Sequence, residues 1–188
     1  WSRGLGDVYK RQNDIEVIKK QQAEVLQKLT TIEAAMKNRP APPSLPQGPF
    51  TVPTKNATVL GNSDAPTVIM VWSDFQCPFC SKVAPSINAT LGDPELKGKV
   101  SFVFKQYPLG FHKEALPAAR AALAAGRQGK FFEMHDKIFA NQAQLSDDKY
   151  GMWAKELGLN VSRFEKDLAD PAIEAQIKAD MEDGAKVG

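Results

Sequence analysis

Residues 38–49 read NRPAPPSLPQGP, and five prolines in twelve residues divide the chain. Each proline fixes its φ and lacks a backbone N–H, so neither a helix nor an interior strand can run through. This composition favours a semi-rigid, extended polyproline-type linker. The 188 residues therefore divide into a short N-terminal piece and one domain of ordinary size. Residues 13–38 precede the linker, 39–49 form it, and 50–188 follow it.

From Asn13 to Lys37 the chain is free of glycine and proline. Ile15, Ile18, Gln22, Val25, Leu29, Ile32 and Met36 recur at alternating spacings of three and four, which is the seam of a heptad repeat. Ile15, Gln22, Leu29 and Met36 take the a positions, and Ile18, Val25 and Ile32 take d. Lys28 at g can pair with Glu33 at the next e of a parallel neighbour. β-Branched residues at d with Leu at a favour three or four strands over two, and a polar Gln22 sets register at some cost in stability. A lone helix this short is marginal in water. The piece predicts an amphipathic coiled-coil helix that packs either on other copies, as a trimer or tetramer, or on its own domain.

The first dozen residues stand apart. They hold three bases and one acid, and the remainder carries 21 of each, so the net charge of +2 belongs to them. Asp7–Gln12 resembles the translated end of a transposon adapter used in making sequencing libraries. Residues 1–12 are set aside from fold reasoning as a scar on that ground. Charge then gives no support for nucleic-acid binding. The longest apolar run, Thr67 to Trp72, falls far short of the roughly 18 residues of a membrane span. No basic stretch followed by an apolar one opens the chain, so no signal peptide is read.

The domain reads as α/β. Ala57–Leu60 is a short strand, Gly61–Pro66 a turn, and Thr67–Trp72 a continuous apolar run suited to a buried central strand. Helix signals run from about Cys77 to Leu91. Val100–Phe104 is a second buried strand. Helices follow over Glu114–Arg127 and Lys130–Ala140, and another starts at Ser146 with Asp147 and Asp148. Ser162 and Glu165 have capping-box spacing, and Asp170–Pro171 reads as an N-cap with proline at the first helical position. The order is β-β-α-β, then about five helices.

Chemistry concentrates in SDFQCPFC, residues 73–80, where a strand turns into a helix. Cys77 and Cys80 are the two cysteines of the chain. Two residues between them place both thiols within one helical turn. Unpaired N–H groups and the dipole at a helix N-terminus favour a thiolate at Cys77. Cys80, one turn along, can attack a mixed disulfide from within. Pro78 suits the first turn because the N–H it lacks would go unpaired. A zinc half-site would need two more ligands, and His112 and His135 lie far outside finger spacing. Metal binding and a structural disulfide remain the alternatives to a redox pair.

SDFQCPFC after an apolar strand, then a strand running into FKQYPLGFH at residues 104–112, then helices, resembles the DsbA-like branch of the thioredoxin superfamily. The resemblance covers residues 57–188. It implies a thioredoxin-like fold with an inserted helical domain over residues 113–186. It implies a surface nucleophile at Cys77, a buried resolving thiol at Cys80, and no cofactor or metal. DsbA proper has histidine between its cysteines, whereas Pro78 and Phe79 stand here, so strong oxidising power is not implied. The family also has a cis-proline loop facing the cysteines and further strands. The chain ends at AKVG where that loop should begin, so the resemblance implies a partial gene.

Gln76 and Asp74 flank the motif, Gln76 as a candidate for shaping the groove and Asp74 for making the turn with a functional effect. His112 is a candidate neighbour of the cysteines, although a solvated loop or helix-cap role is the plainer reading. His135, Trp72 and Phe75 read as packing residues. Asn56, Asn88 and Asn160 match the glycosylation pattern and are read as chance. The reading is a protein thiol:disulfide oxidoreductase whose partners are protein substrates with thiols or disulfides and a redox partner. An extracytoplasmic, periplasmic compartment is implied by the resemblance. Two other readings stand beside it. One is a non-catalytic coiled-coil oligomer or chaperone binding Cu(I) or Zn through the CxxC. The other is a cytosolic enzyme of the same branch handling small thiols.

Overall fold

The structure is a computed structural model that describes residues 2–38, 48–54 and 57–188, with the backbone alone described for 2–11 and 13. Most of the proline-rich linker and the Asn56 sequon lie outside the described residues.

The N-terminal piece is one helix, α1 (Ser2–Lys37). It begins well before Asn13, so residues 2–12 are helical rather than separate from the helix. Gly4 and Gly6 each cost about 1 kcal/mol against alanine in a helix, a penalty far below proline's. Its apolar seam is exposed, from 50% at Leu29 to 71% at Met36.

The domain holds β1 (Thr58–Gly61), β2 (Thr67–Ser73), α2 (Pro78–Gly92) and β3 (Val100–Gln106). After them come α3 (Ala115–Gly126), α4 (Phe131–Ala140), a short 3-10 turn (Gln142–Gln144), α5 (Asp147–Glu156), α6 (Val161–Leu168) and α7 (Pro171–Val187). The sheet order is β1-β3-β2, with β1 antiparallel and β2 parallel to β3. The central strand is thus β3, buried at every residue. This corrects the expectation for β2. It pairs on one side among the described residues, and Val68 and Ile69 stay 46% and 37% exposed. An apolar β-branched run marks a strand but not its rank in the sheet.

Alternate residues of β3 serve opposite layers, as the two-residue period of a strand requires. Phe104 meets Phe75, Phe131 and His135. Lys105 points the other way, into Asp180 and Asp183 of α7. The core runs through Phe75, Phe102, Met134, Ile138, Tyr150 and Phe164 under the alanine-rich α3.

Helix starts follow local chemistry, with one correction. Asp170 caps α7 through a bond from Ala172 N–H at 2.8 Å, with Pro171 at its first position. Ser146 precedes α5 in extended conformation. The α6 cap is Asn160, whose Oδ1 accepts from Arg163 N–H at 2.9 Å. Ser162 therefore lies inside the helix and forms no capping box. Asparagine caps as well as serine, and its extended backbone placed it first.

Candidate active site

Ser73 ends β2, and the next three residues turn the chain into α2. Cys77 N–H donates to Asp74 O at 3.1 Å, closing the turn. Cys77 occupies the N-cap in extended conformation, with φ −72° and ψ 119°, and Pro78 takes the first helical position. Both cysteines are free thiols and half-buried. Phe79 projects into solvent, 73% exposed, with the Lys82 ammonium 5.5 Å from its ring centre.

Asp74 organises the loops around the motif. Its carboxylate is 3% exposed by side chain. Oδ1 accepts from Gln76 N–H at 2.7 Å. Oδ2 accepts from Leu109 N–H at 2.8 Å and lies 2.8 Å from His112 Nδ1. Gln76 Oε1 accepts from Glu114 N–H at 2.7 Å, tying the motif to the start of α3. The segment 107–112 is thereby fastened beside the cysteines.

A second clamp comes from Gln142. Its Nε2 donates to Phe75 O at 2.7 Å and to Cys77 O at 2.9 Å. The carbonyls on the turn that carries Cys77 are thus held by a residue 65 positions away.

The Cys80 thiol holds its proton more tightly than an ordinary cysteine. Burial pushes it up, and the Cys77 thiol adds to this. An N–H from Asp74 and the Ser73 hydroxyl oppose the shift without cancelling it. Cys80 and Ser73 open onto an apolar cleft of about 220 Å³ with Phe79, Val83, Ile87, Phe139 and His135 on its walls.

The structure brings Cys77, Pro78, Phe79, Cys80, Gln76 and His112 into one neighbourhood. His112 is bound to Asp74 with its side chain 19% exposed, which corrects the plainer reading of a solvated loop or cap. Phe75 is core at 1% exposure. Trp72 is half-buried and donates its indole N–H to Asp180 O at 2.8 Å. Gln142 and Ser73 were assigned no role from sequence. Gln142 sits in an ordinary polar stretch with nothing to single it out. Ser73 was visible within the motif, but its bond to Cys80 depends on the helix geometry. No group of three or more metal-ligating residues occurs among the described residues.

Comparison with known proteins bears on the family and the fold. The family model described as Thioredoxin matches residues 53–188. A thioredoxin-like oxidoreductase from Silicibacter pomeroyi is similar in structure, with TM-score 0.63 and 27% identity over 70% of this chain and 73% of that one. BdbD from Bacillus subtilis matches with TM-score 0.64 and 24% identity over 72% and 77%. In sequence, the chain is 37% identical over 128 residues to an Na(+)/H(+) antiporter NhaA 1 from Salinispora arenicola, covering 68% of this chain and 19% of that protein. An NhaA 3 from Salinispora tropica is 35% identical over 125 residues, again 19% of its length. The chain thus spans about a fifth of the curated relatives it matches. No helix among the described residues is long and apolar enough to cross a membrane. With a family match over residues 53–188, a βαβ unit carrying CPFC at its strand-to-helix turn, and a helical layer beyond, the chain belongs to the thioredoxin family and has the fold of its DsbA-like branch.

Proposed function

We propose that the chain is a thiol:disulfide oxidoreductase working through the Cys77–Cys80 pair on protein thiols and disulfides. The observation that carries this is the pairing of two free thiols one turn apart, with Cys77 at the N-cap of α2 and Cys80 protonated behind it. In the reducing direction the Cys77 thiolate attacks a substrate disulfide. A Cys77–substrate S–S bond forms, and the first substrate sulfur leaves as a thiolate and takes a proton. Cys80 then attacks the Cys77 sulfur, the internal disulfide closes, and the second substrate thiolate leaves. Oxidation runs the same steps backwards. No cofactor is required, because both electrons travel with the sulfur–sulfur bonds.

Gln142 and Asp74 are positioning groups in this scheme, since they hold the turn that presents Cys77. The motif lacks the histidine of DsbA proper, so the reduction potential is expected between about −270 and −120 mV. Such a pair stays oxidised most readily outside the cytoplasm, and we place the enzyme in an extracytoplasmic, periplasmic compartment with a redox partner there. The exposed seam of α1 supports self-association through this helix.

Insulin reduction with dithiothreitol tests the activity. The intact chain should accelerate precipitation of the insulin chains, and Cys77→Ser should abolish the effect. Equal rates with and without Cys77 would remove the assignment.

A further inference from the structure

Resolution of the mixed disulfide requires Cys80 to give up its proton, and burial opposes that loss. A basic group facing the same cleft can receive that proton. Cys80 and Ser73 face the apolar cleft, and the titratable group on its wall besides Cys80 is His135. The imidazole is 5% exposed and packed edge-on by the rings of Phe104 and Phe139, with centroids 5.0 and 4.8 Å away. Its Nδ1 lies 2.8 Å from Asp136 Oδ1. A carboxylate accepts, so Nδ1 carries the hydrogen and Nε2 is the nitrogen with a free lone pair. One water occupies about 30 Å³ of liquid, so this largely apolar cleft of about 220 Å³ has room for a water that bridges its few polar groups, the Ser73 hydroxyl, the Cys80 thiol and the His135 ring.

We propose that His135 is the proton acceptor for Cys80 during resolution, acting through water in this cleft. The proposal rests on the reading of Cys77 and Cys80 as the redox pair. The Cys80 S–H proton passes to water and the water's proton to His135 Nε2. The Cys80 thiolate attacks the Cys77 sulfur, forming the Cys77–Cys80 bond and breaking the Cys77–substrate bond. The departing substrate thiolate takes a proton from solvent, and imidazolium returns its own on the next reduction. The charged group against the ring is Asp136 of its own helix. The rings packed on it are Phe75 from the turn before α2, Phe104 from β3, and Phe131, Phe132 and Phe139 of its own helix, while Ser73 and Cys80 line the same cleft.

The test is a two-step thiol release. Reduced protein is mixed with a symmetric peptide disulfide. The first thiol released reports attack by Cys77, and the second reports resolution by Cys80. At pH 7, His135→Gln should slow the second release at least about tenfold, leave the first unchanged, and alter the pH dependence of the second. A second step with unchanged rate and pH profile overturns the proposal. Absence of the first release overturns the redox reading itself, a separate outcome. If His135→Gln fails to fold by circular dichroism, ring-nitrogen NMR on the unsubstituted protein decides, since the chain has two histidines. The His135 titration should differ between the reduced protein and Cys80→Ser. Identical titrations would refute the coupling.

Discussion

At the scale of single residues, the buried carboxylate of Asp74 carries more than its size suggests. It answers two backbone N–H groups and the His112 ring from a site closed to water. Alanine there would leave those N–H groups buried without an acceptor, at about 1–3 kcal/mol each. Asp74→Ala should therefore lower stability by several kcal/mol, read by urea denaturation, and slow attack by Cys77 as the loop loosens. Tyr150 is the opposite case. Its hydroxyl is buried with no hydrogen-bond partner among the described residues, and burial, with the charges of Glu114 and Asp147, keeps it protonated far above an ordinary tyrosine. Removing an unpaired buried hydroxyl is neutral or favourable. Tyr150→Phe should leave the thermal midpoint unchanged or raise it, by up to about 1 kcal/mol of stability. A clear loss would mean that the hydroxyl has a partner.

At the scale of elements, α7 is bound to the sheet by two devices. One is steric. A Cβ on Gly184 would come within 2.8 Å of Trp72 and 2.9 Å of Tyr107. Alanine gains about 1 kcal/mol over glycine in a helix, but overpacking costs about 1–3 kcal/mol. Gly184→Ala should thus be destabilising on balance, seen as a lower midpoint in denaturant. The other device is the buried cluster of Lys105, Asp180 and Asp183, with ammonium–carboxylate distances of 2.9 and 3.3 Å. Burial pushes the Asp180 carboxyl up despite the Gln106 N–H and Lys105 holding it down. Burial also pulls the Lys105 ammonium down, and its two aspartates more than reverse this. Lys105→Met would leave the Asp180 carboxylate without a cation, while Asp183 keeps Lys186, at about 3 kcal/mol at pH 7. A raised carboxyl favours the folded state at low pH and loses that contribution as pH rises through its folded value. The penalty of Lys105→Met should therefore be smaller at pH 4 than at pH 7. Equal penalties at both would mean that Asp180 is not the strained group.

At the scale of the molecule, the proposed self-association decides how many Cys77 sites act together. The seam of α1 has β-branched residues at Ile18, Val25 and Ile32, which favour three or four strands. Linked sites on one particle would meet one misfolded substrate at raised effective concentration. That arrangement suits isomerisation or reduction better than oxidation. Light scattering should find a trimer or tetramer for the whole chain and a monomer once residues 2–37 are removed. A monomer in both cases would remove the seam from the mechanism.

The two cysteines, the strand-to-helix turn, the β-β-α-β order and the helices beyond were legible in the sequence. Each is written in local signals: periodicity over a few residues, a proline at a first helical turn, a cap. The rank of β2 was not legible, because an apolar run reports burial in general and strand order is set by which neighbours pair. The α6 start was misread for a narrower reason, since two polar residues two positions apart both suit a cap and only the backbone chooses between them. The links of Asp74 to His112, of Gln142 to Cys77 and of His135 to the cleft beside Cys80 join residues tens of positions apart. Nothing in a linear pattern says which side chains the packed layers will bring together. The chain by itself determined where the two thiols lie and what kind of turn bears them. Only the tertiary structure decided which buried groups hold that turn, because those contacts exist only once the helical layer closes over the sheet.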